Sequence, residues 1–304
     1  MESPLVVGVD GSRASLTAVD WAVDEAVRHG LPLRIVHASL WERYEGDVPD
    51  PDADLPSGRH LGENVVREAA DRARLRAPGL ALTTHVLPED PSGALLREGR
   101  DATLLVVASR GRGEFADLLL GSVSLGVAAR SSCPVVVVRG DEQALAARHG
   151  RVLLGVGEHD VDSPAVRFAF REAAARGAEL DAVRAWRRPA HAPFPTGVTG
   201  VTGVTGGTGG HGEGQASERL DEALDAVARA YPGVRLLRST VEGPAHRALT
   251  ERSAAADLLV VGARRRDGLV GLELGRVAHR ALHHASCPVA VVPQRPPVPR
   301  EGEV

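Results

Sequence analysis

A chain of 304 residues that is 43% hydrophobic, 25% charged and only 3% aromatic has room for two ordinary domains, with cores built from Val, Leu and Ala. Its formal net charge of -4 supplies no basic field for nucleic acid, and no run approaches the roughly 18 apolar residues of a membrane span. Two cysteines make no disulfide framework, and the start "MESPLVVGVDGS" has no basic n-region or apolar h-region, so a reducing cytoplasm is the expected setting.

In chain order, "LVVGV" (5–9) reads as a buried strand. Ser12 is placed to cap a helix whose apolar face is Leu16, Val19, Val23, Ala26 and Val27, and Gly30 to stop it. "LRIVHA" (33–38) is a second strand, followed by a polar, Pro-rich loop over 45–58. A charged helix is expected over 61–77, a third strand over 80–87, and a short helix over 91–99 with Ser92 as its cap. "TLLVVA" (103–108) is a fourth strand, "SVSLGVAARS" (122–131) a helix, and "PVVVVR" (134–139) a last strand. Strands alternating with helices imply a parallel sheet covered on both faces, with ligands held beyond the carboxyl ends of the strands.

The pattern is then repeated. "DATLLVVASRGR" (101–112) matches "AADLLVVGARRR" (255–266), and "SCPVVVV" (132–138) matches "SCPVAVV" (286–292) at the same offset. "PLVVGVDGS" also resembles "RVLLGVGEHD". The expectation is two α/β domains in tandem, 1–140 and 150–294, each a doubly wound five-stranded parallel sheet of flavodoxin or Rossmann type. The second is interrupted by a Gly/Thr-rich flexible insertion over 189–217, and residues 295–304 form a disordered tail.

All 36 basic residues are Arg, which removes the P-loop lysine and any Schiff-base lysine. Phosphate would then be held by backbone N–H groups, arginine or a metal ion. The stretch "ASRGRGEFADLLLGSVS" (108–124) suits that task. Gly111 and Gly113 permit a sharp turn and close backbone approach, and Gly121 does the same where a helix begins. Ser122 is expected at the helix N-cap, where free N–H groups favour an anion, and Ser122 and Ser124 offer hydroxyls to phosphate or Mg²⁺. Asp10 ends the first strand, placed to accept from ribose or adenine or to hold Mg²⁺ through water.

The spacing from Ala108 through Gly111 to Gly121 and Ser122 resembles the G-x2-G-x9-G-[ST] motif of the universal stress protein family, and "VVGVDGS" and "SCPVVVVR" resemble that family's first and last strands. The resemblance covers both halves. It implies a five-stranded sheet per domain, ATP binding in many members, a stress-linked role and pairing through the last strand. Here that pairing would join the two domains within one chain and leave a homodimer open. Carried onto this sequence, it implies an adenine-nucleotide site at Val9, Asp10, Gly11, Ser12, Ala38, Val107, Ala108, Gly111, Arg112, Gly113, Gly121, Ser122, Val123 and Ser124. The expected ligand is ATP, with Mg²⁺ reached through Asp10, and no catalysis. The rivals are an adenine-nucleotide hydrolase, whose "SGGxDS"-like loop is missing, and a ligand-free scaffold.

Two departures stand out. Ala108 replaces the first motif glycine. In the second copy Gly262 and Gly275 are kept, but Arg265 and Arg276 take the second glycine and the serine, and Gly157 stands at the position of Asp10, with Asp160 or Asp162 as stand-ins. A second site at Gly262, Arg265, Gly275, Arg276 and Val277 is therefore either degenerate or an arginine fork for anions. His279, His283 and His284 read as a solvated helix end, Cys133 and Cys287 as small buried residues. Asp10, Ser12 and His37 lie on different elements without the pattern of a nucleophile set.

Overall fold

The computed structural model describes residues 3–40, 58–109, 120–158, 160–161, 163–187, 210–264 and 274–294. The first repeat runs β1 (Leu5–Gly8), α1 (Arg13–His29), β2 (Leu33–Ala38), α2 (Gly58–Arg76), β3 (Leu82–Leu87), α3 (Pro91–Glu98), β4 (Leu104–Ala108), α4 (Ser122–Arg130) and β5 (Val135–Val138). A short helix, α5 (Glu142–Leu145), leads into β6 (Arg151–Gly155), α6 (Pro164–Arg176), β7 (Glu179–Trp186), α7 (Gly210–Ala228), β8 (Leu236–Glu242), α8 (Ala245–Arg252), β9 (Leu258–Arg264), α9 (Arg276–His284) and β10 (Val289–Gln294).

The strand order is β3-β2-β1-β4-β5-β10-β9-β6-β7-β8, one ten-stranded sheet made of two doubly wound halves. Pairing is parallel within each half. At the seam β5 meets β10 antiparallel, with Val135 opposite Val291 and Val137 opposite Val289. The intrachain pairing expected from the repeat is therefore present. One core lies on the face covered by α1, α2, α6 and α7, the other under α3, α4, α8 and α9. Strands buried on both faces explain the unbroken Val and Leu runs.

Helix ends follow local chemistry. The Ser12 hydroxyl accepts from Ser15 N–H at 3.1 Å, and Gly30 closes α1 at φ +66°. In α3 the cap is Asp90, not Ser92: its carboxylate accepts from Gly93 N–H at 2.8 Å, and Pro91 takes the first helical position, where no N–H is needed. Val27, placed on the apolar face by periodicity, is 56% exposed; the stripe ends at Ala26. Helix α7 begins at Gly210, so residues 210–217, read as insertion, enter a helix, and Ala216 is buried. The rest of the insertion and the tail 295–304 lie outside the described residues.

The seam depends on a glycine. Gly140 has φ +102°, and a Cβ there would meet the Ser286 carbonyl oxygen at 2.3 Å. Nearby, the buried Asp257 carboxylate takes the N–H groups of His149, Gly150 and Arg151, tying the linker to the second half.

The seam also brings α1 against α6. Glu25 and its repeat equivalent Glu172 are both fully buried there. Arg176 donates to Glu25 at 2.6 Å and lies 3.5 Å from Glu172, and the His29 ring stands 3.3 Å from both carboxylates. Arg28 pairs with Glu25, and Arg176 also covers the Trp21 ring. Burial alone would raise Glu25, but Arg176 and hydrogen bonds from Glu172 and His29 hold it well below the usual carboxylate range. Burial and the neighbouring Glu25 charge push Glu172 up. Hydrogen bonds to Glu172 and then Glu25 raise the His29 imidazole to about 9.

A second ion pair recurs with its signs exchanged. Arg34 on β2 donates to Glu98 on α3 at 2.8 Å, whereas at the matching positions Asp181 on β7 accepts from Arg252 on α8 at 2.9 Å.

Because the folded-state pKa of His29 lies above its unfolded value, its stabilisation is complete below about pH 6.5 and is lost as pH rises through 9. Thermal unfolding midpoints measured from pH 6 to 10 should fall across that window, by up to about 3 kcal/mol in stability, and His29→Gln should flatten the fall. An unchanged profile in the variant would assign it to another group.

Candidate functional site

The first strand ends in a turn that orders its own side chains. The Asp10 Oδ1 accepts from Ser12 N–H at 3.0 Å and from the Ser12 hydroxyl at 2.6 Å, while Gly11 supplies φ +78°. Both bonds fall on Oδ1, so Oδ2 has no partner among the described residues and is left for a ligand or a hydrated cation. His37 donates from Nδ1 to the Val9 carbonyl at 2.8 Å, three residues before Ser12, and is not bonded to Ser12. Asp10, Ser12 and His37 thus form no nucleophile relay. Ala38, half-buried, ends β2 beside them.

The facing wall is β4 and the start of α4. Ala108 is extended and paired with Val138, and the one non-glycine with positive φ among the described residues is Ala147. The alanine in the first motif position therefore carries no backbone penalty. The side chains of Val9 and Val107 are buried, leaving only their main chain toward the site. Gly121 returns the chain to β4, its N–H donating to the Ser109 carbonyl at 2.9 Å.

Two expectations are corrected at α4. The N-cap is Gly121, and Ser122 is the first helical residue, exposed to solvent. Ser124 is buried and its hydroxyl donates to the Ala108 carbonyl at 2.6 Å. It ties helix to strand, and its proton is engaged there instead of being free for a phosphate. Gly111, Arg112 and Gly113 lie outside the described residues.

What α4 lacks is a cap. The helices α1, α3 and α6 each begin with a side chain accepting a first-turn N–H, from Ser12, Asp90 and Ser163. Helices α4 and α9 begin at Gly121 and Gly275 with none, as does α8 after Pro244. Among the described residues, the first-turn N–H groups at Ser122, Val123 and Ser124 therefore have no capping partner and point beyond the carboxyl end of β4.

The second repeat keeps this frame and fills it differently. Gly262, Gly275, Arg276 and Val277 all line one cleft of about 510 Å³, with Leu249 and Val261 in its wall. Asp160 stands in for Asp10, but the buried carboxylate is consumed internally: it accepts from Gly157 N–H at 2.6 Å and from the Gln294 amide at 2.8 Å. A Cβ on Gly262 would meet that amide nitrogen at 2.0 Å. The first repeat reverses the sizes, with Ala108 in place of Gly262 and Gly140 at the position of Gln294. Glycine is retained at 262 to admit a side chain from the last strand. Arg184, equivalent to His37, donates to the Gly157 carbonyl at 2.5 Å. Arg264 and Arg276 are exposed at the mouth; Asp162 and Arg265 lie outside the described residues.

Other groups are structural. Cys133 and Cys287 are buried and free, with burial pushing the Cys287 thiol up to about 12. His279 and His283, one turn apart on α9, have tilted rings with centroids 4.5 Å apart, and burial pushes His283 down.

The profile of the Universal stress protein family matches residues 1–139 and again 149–293. The chain belongs to the universal stress protein family. It is 32% identical over 300 residues to Universal stress protein Rv2005c of Mycobacterium tuberculosis, covering 95% of this chain and 97% of that one. Universal stress protein Rv2623 of the same organism is 31% identical over 293 residues, covering 94% and 95%. A crystal structure of a universal stress protein from Archaeoglobus fulgidus superimposes with a TM-score of 0.69 at 18% identity, covering 96% of this chain and 99% of that one, so its likeness is one of fold. No helix among the described residues is long and apolar enough to cross a membrane.

The Gly262–Gln294 contact is open to a double-mutant cycle. Gly262→Ala alone should cost about 1–3 kcal/mol in urea unfolding, as overpacking does, and most of that should return in Gly262→Ala with Gln294→Ala. Additive losses would show that the amide is not what the glycine accommodates.

Proposed function

We propose that the first repeat binds an adenine nucleotide, ATP in the first instance, without catalysing its conversion, and that the bound nucleotide governs an interaction of the chain under stress. The observation that carries this reading is the uncapped start of α4. Three N–H groups and the positive end of the helix dipole face the carboxyl end of β4, where the family's phosphate motif runs. An anion there completes the helix as Ser12 completes α1.

The remaining parts fit the same ligand. The main chain at Ala38, beside the half-buried ends of β1 and β2, stands where the family resemblance puts the base. The free Oδ2 of Asp10 suits a ribose hydroxyl or a magnesium ion carried in with the phosphates. That ion would offset phosphate charge. The groups at the site position and neutralise; Asp10 is held by Ser12 rather than by a general base, and His37 spends its Nδ1 proton on main chain. Binding, not turnover, is the chemistry this arrangement serves.

Protein purified without added nucleotide, denatured and examined by mass spectrometry, should release ATP or ADP near stoichiometry. In calorimetry Gly121→Val should abolish ATP binding with little change in the thermal midpoint. Wild-type affinity in that variant would refute the placement of the phosphates. Steady phosphate release that disappears in Asp10→Ala would refute the non-catalytic reading.

A further inference from the structure

The second cleft opens into more space than a mononucleotide fills. A groove of about 510 Å³ adjoins it, sharing Ala185, Ala245, Arg276 and Val277 with it. Together the two spaces reach the upper end of the range for small-molecule sites. The cleft is walled by Val183, Leu249 and Val261; the groove is lined by Arg184, Trp186, Arg187, Arg219, His246 and Arg276.

The first repeat serves as an internal control. The β1–β2 and β6–β7 registers are equivalent, so Arg184 and Arg187 fall where the first copy has His37 and Leu40. The buried pattern of α7 against α2 puts Arg219 at the position of Val65. His246 and Arg276 replace Ser92 and Ser122. Four arginines and a histidine thus converge where the copy has a single histidine.

Among the described residues these charges lack carboxylate partners. Many of the described arginines elsewhere sit against a carboxylate, as Arg72 does on Asp20 and Arg76 on Asp24. Among the described residues none of Arg187, Arg219 and Arg276 has an ion pair, and the acids nearby are the exposed Glu158 and the already committed Asp160. Arg184 is 6% exposed, with one nitrogen on the Gly157 carbonyl and its buried Nε without a partner. Burial, then the like charge of Arg219, pulls its guanidinium below the usual range. A buried cation crowded by a second cation is relieved by an anion.

Trp186 adds a flat surface. One part of its ring lies against Gly212, where a Cβ would come within 2.8 Å, and it lines the groove beside Arg187 and Arg219. Bases stack on such rings with little regard to identity.

We propose that the second repeat binds a dinucleoside polyphosphate, with one nucleoside in the strand-end cleft, the phosphate chain across Arg276, Arg184 and Arg219, and the second base on Trp186. The site is separate from that of the first repeat and does not depend on the nucleotide reading given for it. The arginines replace the glycine-and-serine cradle, and the longer ligand uses charge that a mononucleotide would leave unmatched.

The full-length chain would be titrated by calorimetry with diadenosine tetraphosphate, AMP and tripolyphosphate at one fixed salt concentration, and by tryptophan fluorescence. Diadenosine tetraphosphate should bind at least about tenfold more tightly than either of the others, as one added charge-assisted contact would give. It should perturb an emission that is lost in Trp186→Phe. The variant carrying Arg187→Leu, Arg219→Val and Arg276→Ser, all exposed positions, should lose at least about tenfold in that affinity at an unchanged thermal midpoint. Gly121→Val should leave it intact. Equal affinity for tripolyphosphate would reduce the groove to a bare anion patch and overturn the proposal. So would wild-type affinity in the triple variant, or loss of binding in Gly121→Val.

Discussion

The antiparallel pairing of β5 with β10 is the contact on which the remainder depends. It turns two similar half-sheets about a local twofold, so the carboxyl ends of their strands point in opposite directions. The two strand-end sites therefore lie at opposite margins of one sheet. The same pairing places α1 beside α6 and forces Glu25 to face Glu172. A symmetric arrangement of like residues would bury two carboxylates against each other, which is costly without compensation. The repeats differ where this matters: position 29 is His and its equivalent 176 is Arg, and together with Arg28 and Arg171 they supply the positive charge.

Duplication followed by divergence explains the pair of sites. Among the described residues, the first repeat leaves the α4 start bare and one carboxylate oxygen of Asp10 free. The second closes its carboxylate onto Gly157 and Gln294 and surrounds the rim with arginine. The frame, meaning strand, glycine and uncapped helix, is common to both. The occupants of the frame are what changed.

Much of this was legible in the sequence because the repeat compares the chain with itself. Strand runs, the Ser12 cap, Gly30 and the α/β class follow from apolar periodicity and cap chemistry, and the β5–β10 seam from the matching "SCPVVVV" and "SCPVAVV". The misplacements have local causes. Asp90 outcompetes Ser92 because the following proline fixes the first helical residue. Ser122 and Ser124 look alike in sequence, and only the helix phase sends one to solvent and the other to the Ala108 carbonyl. The Asp160–Gln294 pair joins an inserted turn to the last strand across 134 residues, a separation that no local pattern encodes. The Glu25 cluster hid for a related reason, since charges on a helix ordinarily read as its wet face.

The exchanged ion pairs have a consequence for assembly. Two copies of one fold on one chain risk trading parts while they form, a strand of one accepting a helix of the other. Such a hybrid would set Arg34 against Arg252, or Glu98 against Asp181, in each case like charges in a half-buried position. Correct partners alone bring opposite signs together. The reversed polarity acts as a lock-and-key label by which each half recognises its own pieces, and it lets a duplicated gene product fold as two neighbours instead of one tangle.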